Sequence, residues 1–324
     1  MRPFTRSMLI LVLSVLLGAL SIARAADYPN KPIRWIIPYP PGGSNDVLAR
    51  YIGIKLSKRM GQQIVIDNRG GANGIIGADL ASQAPADGYT MLIVSTSFVM
   101  NAAVRKLPYN VQTSFDPVAM IASSPNSIVT NPKTGYKSLP DLVSQAKAKP
   151  GTINYASTGV GGFNHFGGEL FKKVVGIDMQ MVPYKGGGPA MIDVIAGNIN
   201  VMFTSITQVL AHVRAGRIKM LAIGAAKRNA AVPDVPTVIE SGYPGYEMYV
   251  WWGISVPHGV PRDRAAKLGR EITAVLRDPD TRKWLSNNAA AEAQFPTPAE
   301  IRSMVRTDLK KWIDVAKSAG IKVK

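Results

Sequence analysis

Three glycine-rich stretches carry residue types suited to gripping an anion: "YPPGGSNDVLAR" at 39–50, "STGVGGFNHF" at 157–166 and "YKGGGPAMID" at 184–193. Glycines let a backbone approach a bound group closely. The first turn of a helix presents N–H donors with no partner inside the helix. Together these suit an anionic ligand. Each stretch follows an apolar run and precedes a segment with helical spacing, so any one of them is equally a plain strand-to-helix turn. As a set they name candidate ligand-binding residues. The first loop offers Tyr39, Pro41, Gly42, Gly43, Ser44 and Asp46, and the end of the run "YTMLIVST" offers Ser95, Thr96 and Ser97. The second loop offers Ser157, Thr158, Gly159, Gly161, Asn164 and His165. Tyr184, Lys185 and Gly186 come from the third, and Thr204 and Ser205 follow "VMF".

Other chemistries fit less well. Gly159 and Gly161 begin a dinucleotide-like pattern, but Asn164 stands where the third glycine belongs, and no GxxxxGK[ST] loop occurs. His165, His212 and His258 are far apart and form no HExxH pattern, and no GxSxG elbow is present. No metal or cofactor is expected. A hydrolase using Ser157 as nucleophile and His165 as base lacks a recognisable third member; a His165 bonding a loop or ligand oxygen is the simpler reading. Asp46 suits the first turn of its helix, where negative charge is favoured and can brace the loop. Asp193 suits a similar structural task. Trp251 and Trp252 could stack on a ligand, although one of two adjacent strand residues normally faces a core.

The elements that must position these loops alternate. Strand "IRWIIPYP", helix "DVLARYIGIKLSKRM", strand "QQIVIDNR", helix "GIIGADLASQA" and strand "YTMLIVST" predict parallel βαβ units. After "FDPVAMIASSPNSIVTN" the pattern begins again and runs to "IKMLAIGA". A turn-rich connector then leads into "MYVWWGISVP" and three helices. About 300 residues exceed the usual single core. The prediction is two α/β domains: 26–125 with 246–324, and 126–245. Two crossing segments, near 120–130 and 243–256, would join them and place a cleft between them. Ligands of open α/β sheets bind beyond the carboxyl ends of the strands, where the three loops fall.

The first 25 residues have the marks of an export signal: Arg2 and Arg6, an apolar stretch of 13 residues from Met8 to Leu20, and "ARA" at 23–25. That stretch is short of the ~20 residues needed to span a bilayer. Cleavage after Ala25 is expected, with an uncleaved anchor as the alternative. The sequence has no cysteine, hence neither disulfides nor a lipid-bearing N-terminal Cys. Without Arg2, Arg6 and Arg24 the formal charge of +17 falls to +14. The basic residues are scattered singly and in pairs, which argues against nucleic acid and for encounter with anionic small molecules.

The motifs "PYPPGGSNDVLAR", "DNRGGANGIIGADLASQAPADGYTML", "NYASTGVGGFNHFGGELF", "VPYKGGGPAMIDVIAGNINVMF" and "KRNAAVPDVPTVIESGYPGYE" resemble, in this order, the Bug family. These are the periplasmic solute receptors of tripartite tricarboxylate transporters, and the resemblance covers Tyr28 to near the C-terminus. It implies a type II periplasmic-binding-protein fold, monomeric, closing on a small carboxylate or amino acid held by backbone N–H groups, hydroxyls and water. It also implies delivery to membrane permease subunits, or an orphan receptor where no permease accompanies it. A receptor that reports the same solute to a sensor kinase is the alternative role. Three places depart from the family pattern: Pro40 and Pro41, Gly162 and Phe163, and Thr204 and Ser205, the last where an acid is common. They leave the ligand's identity open.

Overall fold

The computed structural model describes residues 28–321, so the export signal and the cleavage point after Ala25 lie outside the described residues. In the first unit, β1 (Ile33–Ile37) leads to α1 (Ser44–Met60), β2 (Ile64–Asn68), α2 (Ile75–Ser82), β3 (Thr90–Ser95) and α3 (Thr96–Val104). A 16-residue strand, β4 (Phe115–Thr130), carries the chain into the second unit. There α4 (Leu139–Ala148), β5 (Asn154–Ser157), α5 (Phe163–Val175), β6 (Gln180–Pro183) and α6 (Gly187–Ala196) follow. They are succeeded by β7 (Val201–Ser205), α7 (Ile206–Arg214) and β8 (Lys219–Ile223). The chain returns through β9 (Tyr249–Pro257) to α8 (Arg262–Arg277), α9 (Pro279–Ala289), β10 (Glu292–Ala293) and α10 (Pro298–Ser318).

The strands form one ten-stranded sheet in the order β2-β1-β3-β9-β4-β7-β5-β6, with β8 and β10 also on β4. Two lobes follow from the way β4 changes partner. From Phe115 to Pro125 it pairs with β9, and from Asn126 onward with β7 and β8. Asn126 sits at the change: its N–H donates to the Met248 carbonyl at 2.8 Å, and its carbonyl accepts from Gly224 N at 2.8 Å. β4 and β9 are thus the two crossing segments, side by side and antiparallel. This is the two-lobed α/β architecture predicted from the sequence.

Three local expectations need correction. The prediction of parallel units holds for β2-β1-β3 and β6-β5-β7, but β4, β8 and β9 run antiparallel to their neighbours. Helix α3 was not anticipated, because "TSFVMN" is buried on every side and shows no helical stripe. Trp251 and Trp252 are both buried, since both faces of β9 are covered. Trp251 Nε1 donates to Asp308 of α10 at 2.7 Å. The same helix sets Trp312 edge-on against Phe166 of α5, with ring centroids 5.4 Å apart, so α10 braces both lobes from behind.

Candidate functional site

Five helices begin at one cavity. Its wall includes Gly43, Ser44 and Asn45 at the start of α1, Ser95 and Ser97 at α3, and Phe163 and Asn164 at α5. Gly187 begins α6, while Thr204, Ser205 and Gln208 stand at the start of α7; Tyr39, Thr158 and Val250 complete the lining. Each helix follows a strand whose carboxyl end faces the gap between lobes, which is why their first turns converge there. The residues preceding α1, α3, α5 and α6 (Gly43, Ser95, Gly162 and Gly186) make no side-chain cap. First-turn N–H groups are therefore left for other acceptors, apart from Phe163 N–H, which Ser97 Oγ accepts at 3.1 Å, and Asp46 N–H, which the Gly43 carbonyl accepts at 3.0 Å; Pro189 of α6 has no N–H to offer. Among the described residues, no Lys, Arg, His, Asp or Glu lines the cavity. Helix N-termini carry partial positive charge, so the wall is electropositive without a cation. The cavity measures about 50 Å³, the room of a few waters. Asn45 Oδ1 is buried with no partner among the described residues.

The lobes are shut against each other around this cavity. Thr158 Oγ1 donates to Asn73 Oδ1 across the gap at 2.8 Å. Asn73, at a left-handed φ of 56°, is held in turn by Asn101 through bonds of 2.8 and 3.0 Å. The Arg105 guanidinium donates to the Val160 carbonyl. The loop before α1 lies directly on the start of α6. A Cβ on Gly188 would sit 2.5 Å from the Pro41 carbonyl oxygen, and one on Gly186 would sit 2.6 Å from Pro40 Cδ.

Of the residues singled out from the sequence, Tyr39, Gly43, Ser44, Ser95, Ser97, Thr158, Asn164, Thr204 and Ser205 line the cavity. The others do not, each for a local reason. Asp46 turns back on its own loop, accepting from Gly42 N (3.1 Å), Arg50 (3.0 Å) and Asn68 (3.0 Å). Burial would raise its pKa, but these bonds outweigh it and hold the carboxyl below its ordinary value. Pro41 and Gly42 form the rim, with the left-handed φ of 86° at Gly42 making the turn. Thr96 Oγ1 accepts from Trp251 N and anchors β9. Gly186 meets Pro40 in the lobe contact, and Lys185 is exposed. The Tyr184 hydroxyl donates to Asp193 at 2.6 Å instead of reaching the cavity.

Ser157 Oγ bonds the N–H and carbonyl of Gly159, while His165 Nδ1 accepts from Gly161 N at 3.2 Å. Each braces the loop 157–162, whose left-handed Gly159 and Gly161 make its turns; the two are not bonded to each other. Asn45, Gly187, Gln208 and Val250, and the lobe-closing Asn73, Asn101 and Arg105, were not singled out. The rule that strand ends and first helical turns line the cleft reaches Asn45 and Gln208. Nothing local marks Val250 or Arg105.

Burial lowers the His165 pKa below its usual 6.5, and His212 shifts the same way, chiefly by burial. As pH falls below 6.5 the unfolded chain takes up protons that the folded chain refuses, so stability declines with acidification. His165→Asn is expected to flatten part of that decline between pH 7 and 5 in denaturant titrations. An identical slope in the variant would remove His165 from the account.

Two lobes on a shared pair of crossing strands, closed over a cavity built from helix starts, define a binding protein of the type II periplasmic class. The sequence model of the tripartite tricarboxylate transporter family receptor (TctC) matches residues 48–321. BugT of Bordetella pertussis is 35% identical over 98% of both chains. The solved periplasmic binding protein BugD superposes with a TM-score of 0.88 at 29% identity, over 92% of this chain and 100% of that one. An R. palustris protein solved with adipate gives 0.88 at 32%, covering 91% and 99%. MatC of Rhodopseudomonas palustris, solved with bound malate, gives 0.84 at 29%, covering 89% and 99%. The chain belongs to the tripartite tricarboxylate transporter receptor family, the Bug proteins among them.

Proposed function

We propose that this protein is an exported receptor, not an enzyme, that closes on a small carboxylate in the periplasm and delivers it to tripartite tricarboxylate-type permease subunits. The observation that carries this reading is the convergence of five helix starts on one cavity with no charged side chain in its wall. Such a wall binds an anion through backbone donors and dipoles, and a carboxylate's two oxygens can take several of them at once. The adipate and malate of the two R. palustris structures are acids of this class. A small cavity suits a short chain, and the free Asn45 amide suits a hydroxyl or amino substituent on it. The lobes move as the domains 26–125 with 246–324 and 126–245, hinged at β4 and β9. The separate engagement of Ser157 and His165 with their own loop supports binding over hydrolysis.

A thermal-shift screen of short mono- and dicarboxylates, hydroxy acids and amino acids tests the ligand class. A ligand at 100 times its Kd stabilises the fold by about 2.7 kcal/mol, several degrees in Tm. If acids shift nothing while neutral solutes do, the carboxylate reading fails. Mass spectrometry of the periplasmic fraction should find a chain beginning at Ala26; a membrane-bound product retaining residues 1–25 would overturn export by cleavage. No helix among the described residues is long and apolar enough to cross a membrane.

A further inference from the structure

A second, larger cavity among the described residues lies away from the site between the lobes. It is a groove of about 1060 Å³ on the first lobe, walled by α8, by β4 near Val118 and by the segment 294–298 that leads into α10. The closed cavity touches β9 at Val250, and the groove reaches the end of β9 at His258. Eight residues of extended strand separate those points, roughly 26 Å.

The groove has a built shape. Small residues of α8, Ala266 and Gly269, form its floor, and the helix is pressed onto β4 so closely that a Cβ on Gly269 would lie 3.2 Å from the Val118 carbonyl oxygen. Phe295 stands at its edge, 43% exposed. Along the helix, Arg262, Arg270 and Arg277 recur at seven- and eight-residue intervals, which puts them on one face. They are exposed and make no ion pair among the described residues. Arg277 lies over the Phe295 ring, 5.3 Å from its centroid. The acid of the groove, Asp116, is already neutralised by Arg302 at 3.0 Å and is within 3.3 Å of His258.

We propose that this groove is a docking site for an acidic segment of a partner protein, one that inserts an apolar side chain beside Phe295 and sets its carboxylates against the α8 arginines. A row of unpaired guanidinium groups beside an apolar floor is the complement of such a segment. A second copy of this chain is disfavoured by the formal charge of +14 that remains without residues 1–25. A concave lining with small residues at Ala266 and Gly269 and Phe295 at its edge favours an inserted side chain over a flat bilayer surface. The proposal stands whether or not the site between the lobes takes a carboxylate.

The test is fluorescence anisotropy of the purified protein with a labelled peptide in which a Leu-Phe pair is flanked by glutamates. Arg270→Glu with Arg277→Glu should weaken binding at least tenfold, and Phe295→Ser, which leaves the charge unchanged, at least threefold. Lys147→Glu with Lys149→Glu makes the same charge change on exposed residues of the other lobe and should alter affinity less than twofold. Equal loss in both double variants would show general charge attraction and overturn the proposal, as would wild-type affinity in Phe295→Ser. Phosphatidylglycerol vesicles that displace the peptide from the wild type, and bind the arginine variant weakly, would overturn it in favour of a membrane surface. Unchanged circular dichroism identifies the variants that are folded, and Phe295→Ser keeps the test decisive if the double reversal is not.

Discussion

Gly43→Val is expected to abolish ligand binding while leaving the protein folded, and Lys185→Ala is expected to leave binding nearly intact. Gly43 is buried at the start of α1 with φ −84° and ψ 167°, an extended conformation that valine adopts readily. A Cβ placed there meets no protein atom within 4 Å, because it projects into open space beside the cavity that Gly43 lines. The side chain therefore takes the ligand's room and screens the first-turn donors of α1 without disturbing the core. A hydrogen bond to a charged group is worth about 1.5–3 kcal/mol. Loss of two such bonds corresponds to a fall in affinity of roughly 100-fold or more. Lys185 is exposed outside the wall, where an electrostatic contribution is about 1 kcal/mol or less. Calorimetric titration of both variants with a ligand found by thermal shift decides between them. If Lys185→Ala abolishes binding and Gly43→Val binds normally, a salt bridge and not a backbone cradle holds the anion.

Gly188→Ala should weaken binding by preventing closure, through a residue that does not line the cavity. Within α6 an alanine is a better helix residue than glycine by about 0.5–1 kcal/mol, so the open protein is not weakened. The cost falls on the closed form, where the added methyl would lie 2.5 Å from the Pro41 carbonyl oxygen of the opposite lobe. Overpacking of this kind costs about 1–3 kcal/mol, which converts to a loss of roughly 5- to 150-fold in affinity. Small-angle scattering gives the second reading. Ligand should shrink the radius of gyration of the wild type and leave that of the variant larger. A variant that binds and contracts like the wild type would show that the Pro41–Gly188 contact does not govern closure.

Much of the architecture is legible in the sequence because its causes are local. The apolar run "IRWII", the helix stop at Gly61 and the glycine-rich turns before α1, α5 and α6 each announce themselves within a dozen residues. So do the two long runs that became β4 and β9. The same locality explains what was missed. The first six residues of α3 are all buried, so no amphipathic stripe distinguishes them from a strand. The residues Tyr184-Lys185-Gly186 have the composition of a binding loop. Yet the Tyr184 hydroxyl is held by Asp193, Lys185 points to solvent and Gly186 is spent on the contact with Pro40. The lobe-closing bonds of Asn73 and Arg105 are made with Thr158 and Val160, 85 and 55 residues away. By itself the sequence determined most of the segments that fold into strands and helices, α3 excepted, and that several helices begin at glycine-rich turns. Only the tertiary structure decided which of those first turns share one cavity and which residues press the lobes together. Side-chain direction within a loop is set by partners brought near through the sheet order, and that order depends on contacts between residues far apart in the chain.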